Sequence, residues 1–496
     1  MIKFWAVALA LIYFMWKQRE KKDGAHAMRA GWFVAILLCP AWQQLQVRSI
    51  FLDHRSIAAG LGLVLLFAFP RKDGLSPLKR FVPMPTDFFM GLLFLSIIIT
   101  VFLKEHLAPL TPFELGRQLL LPYLIGRIFL QRSKDIEEIA PVLSRVILIV
   151  TVLGILEALT RRNLVNEVFG MRFGLLETGE GYRWGMKRAI GSVRHPIFNG
   201  LMLVMVIPWT VAVHHYWKRG PKRKLWRQMP LMGALAVFFS VSRGPHAAAI
   251  ATAGIMTFFR KPLLRVPIAV GTITLAVIAV GAKDQIMHFA GKLAGEEELD
   301  ENSYVSINGE LYAYTGTRHR ELLDIVYAEA VVRNDFWGYG AGLKNVPVPE
   351  DAKQRFSSID NDYLMFFLQF GYSGFYLFNI LQVCAVLQVF CCAWNTKHGR
   401  SILCAGLTGS FVGVGMLIKS VWFDTDYGTV WLFCAGLSAC LVNVQDDEAA
   451  FRAGATDGEA STLPEKTVVR VRKRSLVPSY TPIPRSEAQG QQSASP

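Results

Sequence analysis

The chain has little cysteine, and what it has is poorly placed for cross-linking. Seven cysteines occur in 496 residues, no two of them as C-x-x-C, and none falls between residues 282 and 360. No disulfide is expected in that stretch, and no metal-ligand spacing is present. Cys39, Cys384, Cys391, Cys392, Cys404, Cys434 and Cys440 all lie in apolar runs and read as packing residues. Charge is scarce too. Charged residues make up 18% of the chain, against roughly 25% in soluble domains. An ordinary soluble fold is therefore excluded. No internal repeat is visible, which argues against an inverted-repeat transporter. The first apolar run has no basic region of note before it, so a cleavable signal peptide is not expected.

What the chain does have is apolar sequence. Hydrophobic residues make up 52% of it, and the mean hydropathy is +0.32. They gather in runs of about 15 to 20, the length a helix needs to cross hydrocarbon. About thirteen candidate spans follow. They lie near 3–16, 30–46, 56–70, 86–103, 115–130, 139–159, 196–213, 230–243, 246–259, 264–281, 361–394, 401–418 and 428–444. The expected fold class is all-α: a polytopic transmembrane helical bundle of about 12–13 spans with one large polar loop. Spans occupy 1–281 and 361–444, the loop 282–360, and a disordered tail 445–496. The tail is rich in Ser, Pro, Gln, Gly and charge, and cannot bury enough apolar surface to fold alone.

The formal net charge is +15, which raises the question of nucleic acid. The positions answer it. Basic residues crowd into the short loops 17–22, 71–80, 218–227, 260–265 and 397–400. That is the pattern of cytoplasmic orientation signals. The opposite face then receives 47–55, 104–114, 160–195, 240–246, 282–360 and 419–427. The N-terminus falls on that outer face and the C-terminus inside.

Two outer loops carry more cation than the bias favours. One holds Arg172, Arg183, Lys187, Arg188 and Arg194, followed by His195-Pro196; the other holds Arg318, His319 and Arg320. Residues 317–333 read as an amphipathic helix with Thr317 as N-cap. Three basic side chains in its first turn oppose the helix dipole, and they offer a seat for an external anion such as a phosphate. Arg243 sits in a tight turn between two spans, where it can snorkel or face a shared cavity. Arg117, Arg127, Arg145 and Glu157 are charges within or near spans, read as ion pairs, snorkelling or binding groups. Asp360 and Asp362 flank Asn361 at the mouth of the span 361–394. A carboxylate there can accept a hydroxyl proton, and Asp or Asn there can equally cap the helix. Gly338, Gly340 and Gly342 read as a turn rather than a phosphate loop. Asp424-Thr425-Asp426 matches the D-x-D of nucleotide-sugar enzymes, but it falls on the outer face, where such donors are not supplied.

Two motifs then stand in order. Arg318-His-Arg-Glu-Leu322 is R-x-x-x-L, and Asp360-Asn361 is followed by nine residues and Gly371-Tyr-Ser-Gly374. With R-A-I-G-S-V-R-H-P-I-F-N-G at 188–200 and F-S-V-S-R-G at 239–244, this arrangement resembles the O-antigen ligase and polymerase superfamily of bacterial inner-membrane proteins. The resemblance covers about 115–444. Asp360 stands where the ligases have His, which tilts the reading toward an O-antigen or exopolysaccharide polymerase. The resemblance implies a multi-pass enzyme of the inner membrane that transfers glycan from undecaprenyl diphosphate at the periplasmic face. No nucleotide, metal or other cofactor is required. Asp360 would be the base and Arg318 its catalytic partner. Arg320, Arg194, His195 and Arg243 would bind the diphosphate, and Asn361 would orient the acceptor. The expected partners are the lipid-linked glycan, an acceptor glycan or lipid A core, membrane lipid and other polysaccharide-assembly proteins, but not nucleic acid. The alternative is a flippase for lipid-linked oligosaccharides, built on the span charges.

Overall fold

Apolar runs of this length satisfy their backbone most economically as helices, and helices dominate here. The computed structural model describes residues 2–47, 50–71, 81–105, 110–170, 181–216, 223–282, 285, 304–314, 318–343, 346–353, 355–356, 359–395, 398–419, 421 and 425–444. The tail 445–496, the Thr317 cap, Arg172 and Asp424 lie outside the described residues. In chain order the helices are α1 (Ile2–Lys21), α2 (Gly24–Leu38), α3 (His54–Ala68), α4 (Pro85–Lys104), α5 (Thr111–Leu115), α6 (Leu121–Arg127), α7 (Lys134–Thr160) and α8 (Leu164–Phe169). There follow α9 (Pro196–His215), α10 (Arg223–Phe239), α11 (Arg243–Arg260), α12 (Arg265–Gly281), α13 (His319–Val326), α14 (Ala328–Val332), α15 (Asp362–Asn395), α16 (His398–Ile418) and α17 (Thr425–Asn443). Five of them, α4, α7, α9, α15 and α16, are long and apolar enough to cross a membrane by length and composition. The chain is therefore a mostly helical protein with the character of a membrane protein.

Three expected spans differ from the helices that form. The run 30–46 yields α2, which starts earlier, where the Asp23 carboxylate accepts the His26 N–H at 2.7 Å. It stops at Leu38, ahead of Pro40, and the chain turns into a hairpin of β1 (Gln44–Val47) on β2 (Ile50–Asp53). The run 115–130 is not one regular helix. A π turn, Gly116–Leu120, joins α5 to α6. Pro122 lacks the N–H that would reach the carbonyl of residue 118, so a wider turn is the local solution. The run 361–394 breaks at Gly371, whose backbone sits at φ 62, ψ −158.

The main core is apolar and aromatic. Phe33 meets Phe129 and Trp209 at 5.6 and 5.1 Å between ring centroids, and Phe129 meets Phe433 at 4.8 Å. These rings tie α2, α9 and α17 together beside the end of α6. At the crossing of α6 and α17, glycine permits near contact of backbones. A Cβ on Gly126 would lie 1.9 Å from the Phe433 carbonyl oxygen, and one on Gly436 would lie 2.0 Å from that of Tyr123. Small residues at such crossings let helices approach closely.

The polar stretch has a core of its own, which hydropathy did not announce. β5 (Tyr304–Ile307) pairs with β6 (Glu310–Ala313) in an antiparallel hairpin. Val305 and Ile307 from it pack with Leu322, Leu323, Val326, Ala352, Phe356 and Leu368. The expected single helix over 317–333 is two short helices meeting at Tyr327, whose hydroxyl donates to the Phe356 carbonyl at 2.8 Å. Leu322, Leu323 and Val326 are the buried face of α13, while Val332 stays exposed.

Hydrogen bonds sort the loops into two ends. At one end, Lys22, Arg29, Arg71 and Arg132 surround Asp135 and Glu138; Arg71 reaches Asp135 at 2.8 Å and Arg29 reaches it at 3.2 Å. Arg127 with Asp87, and Arg400 with the Val444 carbonyl, belong to the same end. At the other end, the β1–β2 hairpin meets Glu114 and Arg117, segment 188–195 meets Asn163, Ser242 and Asp426, and Lys104 meets Asp335. The candidate site lies there.

Candidate functional site

Segment 188–195 reaches the site as a strap held almost wholly by buried polar groups. The Glu157 carboxylate, in the last turns of α7, accepts from the Gly191 N–H at 3.0 Å and from Asn163 Nδ2 at 2.9 Å. Asn199 Nδ2, in the first turn of α9, donates to the Ala189 carbonyl at 3.0 Å. Glu157, Asn163 and Asn199 are each at most 4% exposed. Buried polar groups of this kind are retained only where partners satisfy them, so the strap's path is over-determined. Arg188 Nη2 then donates to Ser242 Oγ at 3.0 Å, which itself donates to the Ser240 carbonyl at 3.1 Å. Between those serines, Val241 is fully buried with φ 47. A β-branched residue in the left-handed region is strained, and strain of that kind collects at working sites. Arg243, exposed, begins α11 immediately after. It lies close enough to Arg183 of β3 (Tyr182–Arg183) to help lower that guanidinium's pKa, second to burial.

His195 caps α9. Its Nδ1 accepts the Ile197 N–H at 3.2 Å, which leaves the ring proton on Nε2. Burial, aided by the Arg188 charge, pushes its pKa down to about 4, while Asp360 pulls the other way. His195 is therefore neutral at pH 7, with its proton on Nε2. Arg320 is exposed at the surface; partial desolvation at its guanidinium lowers its pKa, and again the Asp360 carboxylate opposes the shift. So Asp360, half-buried, lies within electrostatic reach of both His195 and Arg320. It is the shared neighbour of a residue on the strap and a residue on α13.

Helix α15 is capped by Asn361 rather than by either flanking acid. Asn361 Oδ1 accepts the Leu364 N–H at 3.3 Å, and its carbonyl accepts the Met365 N–H at 2.9 Å. Asp362 is buried in the first turn, where the helix dipole favours a carboxylate. Arg318 is exposed and immediately precedes α13, two residues ahead of Arg320.

Arg194 is directed elsewhere. The chain bends at Arg194 before the extended backbone of His195, φ −143 and ψ 142. Arg194 forks onto Asp426 of α17, with Nη2 at 3.1 Å from Oδ1 and its own N–H at 2.8 Å from Oδ2. Arg55 approaches the same carboxylate at 3.9 Å and donates to the Asp426 carbonyl at 2.9 Å. The structure thus sets Asp360 within electrostatic reach of His195 and of Arg320, sets Arg243 within such reach of Arg183, and places Arg194 in an ion pair with Asp426. Sequence reasoning missed Arg188, Ser242 and Asp426 as site residues. The strongest cue to Arg188 was its place in the 188–200 signature; Asp426 offered only a D-x-D match to a different chemistry. Among the described residues, no three His, Cys, Asp or Glu side chains gather as metal ligands.

No protein-family model matches the chain, and no curated protein matches it.

Two outcomes follow from this geometry. Asp426→Ala leaves two guanidiniums facing a missing carboxylate. Removing one partner of a buried pair costs about 3–5 kcal/mol. The low end, about 3 kcal/mol, is expected here, because Arg194 keeps 31% of its side-chain surface exposed while Asp426 keeps 1%. Thermal unfolding in detergent measures it, and Asp426→Asn should lose less.

The second outcome concerns pH. An unfolded imidazole titrates near 6.5, whereas His195 charges only near about 4. As pH falls the unfolded chain takes up this proton first. The stabilisation is full above about pH 6.5, shrinks between 6.5 and 4, and levels off below. His195→Asn keeps a capping side chain and removes the titration. Melting temperatures between pH 7.5 and 4.5 should fall less steeply in that variant than in the wild type.

Proposed function

We propose that the protein is a membrane glycosyltransferase. It transfers or polymerises glycan from an undecaprenyl-diphosphate donor onto an acceptor sugar at the periplasmic face of the bacterial inner membrane. The observation that carries this reading is the placement of Asp360 within electrostatic reach of both Arg320 and His195, on segments far apart in sequence, next to a strap whose Arg188 donates to Ser242 at 3.0 Å. One carboxylate among several cations suits an acid–base step beside an anionic leaving group. Asp360 takes the proton from an acceptor hydroxyl. The freed oxygen attacks the anomeric carbon, and the bond from that carbon to the diphosphate oxygen breaks. The electron pair leaves with the diphosphate, and the carbon is inverted. Arg320, Arg318, Arg188 and Arg243 meet the leaving charge with guanidinium forks. Neutral His195 adds a hydrogen bond rather than a charge. With its Nδ1 lone pair already engaged, His195 is a poorer base than Asp360.

The flippase alternative draws on span charges of which Arg127, Arg117 and Glu157 already have partners within the fold. Arg127 holds Asp87 at 2.9 Å, Arg117 holds Glu114, and Glu157 holds the strap. The test is reconstitution. Purified protein in vesicles, given a polyprenyl-diphosphate-linked glycan and an acceptor glycan, should release polyprenyl diphosphate and form a longer glycan with chelator present. Absence of product from folded wild-type protein would end the proposal. Loss of the gene separates the two acceptors: single lipid-linked repeats accumulate if a polymerase is missing, and long unattached chains if a ligase is.

A further inference from the structure

Beside the strap, at Arg194, lies a cavity of about 220 Å³ that Asp360 does not line. Its walls come from the β1–β2 hairpin, the start of α3, the π turn beside α6, Arg194 and Thr429. Three guanidiniums face it, those of Arg55, Arg117 and Arg194. Each is matched by acid. Arg117 pairs with Glu114 and lies 3.6 Å from Asp53, and Arg55 and Arg194 share Asp426. Three cations against three carboxylates leave the pocket near neutrality.

That balance decides what it can hold. A free phosphate would meet the Asp53 carboxylate. A lipid chain would strip water from these paired charges and amides, which is costly. The wall offers donors from guanidinium, acceptors from carboxylate, and both from Gln44 and Gln118. It also offers aromatic surface, the Phe51 ring, 38% exposed, with the buried Trp32 behind the floor. A neutral ring with hydroxyls around its edge and C–H groups on its faces satisfies both. The volume is below the range of roughly 300–1,000 Å³ seen for drug-sized ligands, and so suits one ring.

We infer that this cavity is a saccharide subsite that takes one pyranose of the glycan, the unit neighbouring the sugar that reacts. Its wall residue Arg194 is adjacent in the chain to His195, so the subsite and the reacting centre share the strap. The role given to the sugar rests on the glycosyltransferase reading, but binding does not require transfer.

The experiment therefore reads binding alone. Full-length protein in lipid nanodiscs is titrated with methyl glycosides of common hexoses, N-acetylhexosamines, deoxyhexoses and uronic acids, followed by saturation-transfer NMR. At least one should bind the wild type. The double variant Gln44→Ala with Gln118→Ala should weaken that binding about tenfold or more, by loss of hydrogen bonds. Gln44 is exposed, so its loss leaves folding intact, and the Gln44→Ala single variant should give part of the effect. Asp360→Asn should bind the glycoside as the wild type does. The inference is overturned if no glycoside binds, if binding survives the double variant, or if inorganic phosphate competes it away. Glycoside binding without transfer in the vesicle assay would uphold the subsite as a saccharide site and remove the enzymatic reading.

Discussion

Asp360→Ala is expected to lower glycan transfer by about 10²–10⁴-fold, the range a positioned general base supplies. The argument depends on what this substitution leaves alone. Asn361, not Asp360, caps α15 through its Oδ1 contact to the Leu364 N–H at 3.3 Å. The start of the helix should therefore keep its geometry, and the variant should insert and melt as the wild type does. Asp360 also balances the field at Arg320 and His195. Removing it leaves the guanidiniums of Arg320, Arg188 and Arg243 in place to hold the diphosphate, so donor binding should persist while turnover fails. A fall in kcat with little change in donor KM is the signature. Asp360→His, which installs the residue the ligases carry, should recover part of the rate, since imidazole can take the same proton. Turnover by Asp360→Ala within a few-fold of the wild type would remove Asp360 from the chemistry.

Much of the helical framework was legible because hydropathy is a property of each residue in turn. The apolar runs 86–103, 139–159, 196–213 and 264–281 match α4, α7, α9 and α12 closely. Interruptions were not legible, because hydropathy is averaged over a window, and Gly116–Leu120 and Gly371 sit among neighbours apolar enough to carry the mean across the break. Gly371 is broken by what docks against it, and a sum over side chains does not register that. The second core was hidden for a related reason. Val305, Leu322, Ala352, Phe356 and Leu368 are too dispersed in sequence to form a run. Asp426 meets Arg194 across 232 residues, and no local pattern encodes such a pairing. Motif spacing did draw attention to Asp360 and Arg320, but it could not say that Arg194 is taken up by Asp426 while its neighbour His195 caps α9.

Gly371→Ala is expected to destabilise the fold by more than about 4 kcal/mol, beyond what most single substitutions do. Two causes act together. The backbone at φ 62, ψ −158 lies in a region that is essentially glycine's alone. A Cβ placed there would lie 2.4 Å from the Asp335 carbonyl oxygen, 2.5 Å from Gly338 N and 2.5 Å from the Phe336 carbonyl oxygen. Those are backbone atoms and cannot rotate away. The loop they belong to is itself pinned. The Asp335 carboxylate accepts from Trp337 N–H at 2.9 Å and Gly338 N–H at 2.7 Å, and it pairs with Lys104 at 2.6 Å. The break is what lets this loop enter, since Tyr339 N–H and Gly340 N–H reach the Leu368 and Gln369 carbonyls at 2.8 and 3.0 Å. Helix carbonyls that lose their partners at a kink are satisfied by the loop instead. A methyl group at 371 pushes loop and helix apart and strands both sets of groups. It also loosens residues 362–370, which join Asp360 to the body of α15, so transfer should fall along with stability. Gly91→Ala is the control, because nothing lies within 4 Å of the added Cβ and alanine is favoured over glycine inside a helix by roughly 0.5–1 kcal/mol. Thermal unfolding and proteolysis at 338–343 read the difference. A Gly371→Ala protein as stable and as protease-resistant as Gly91→Ala would mean that the loop does not dock into the broken helix.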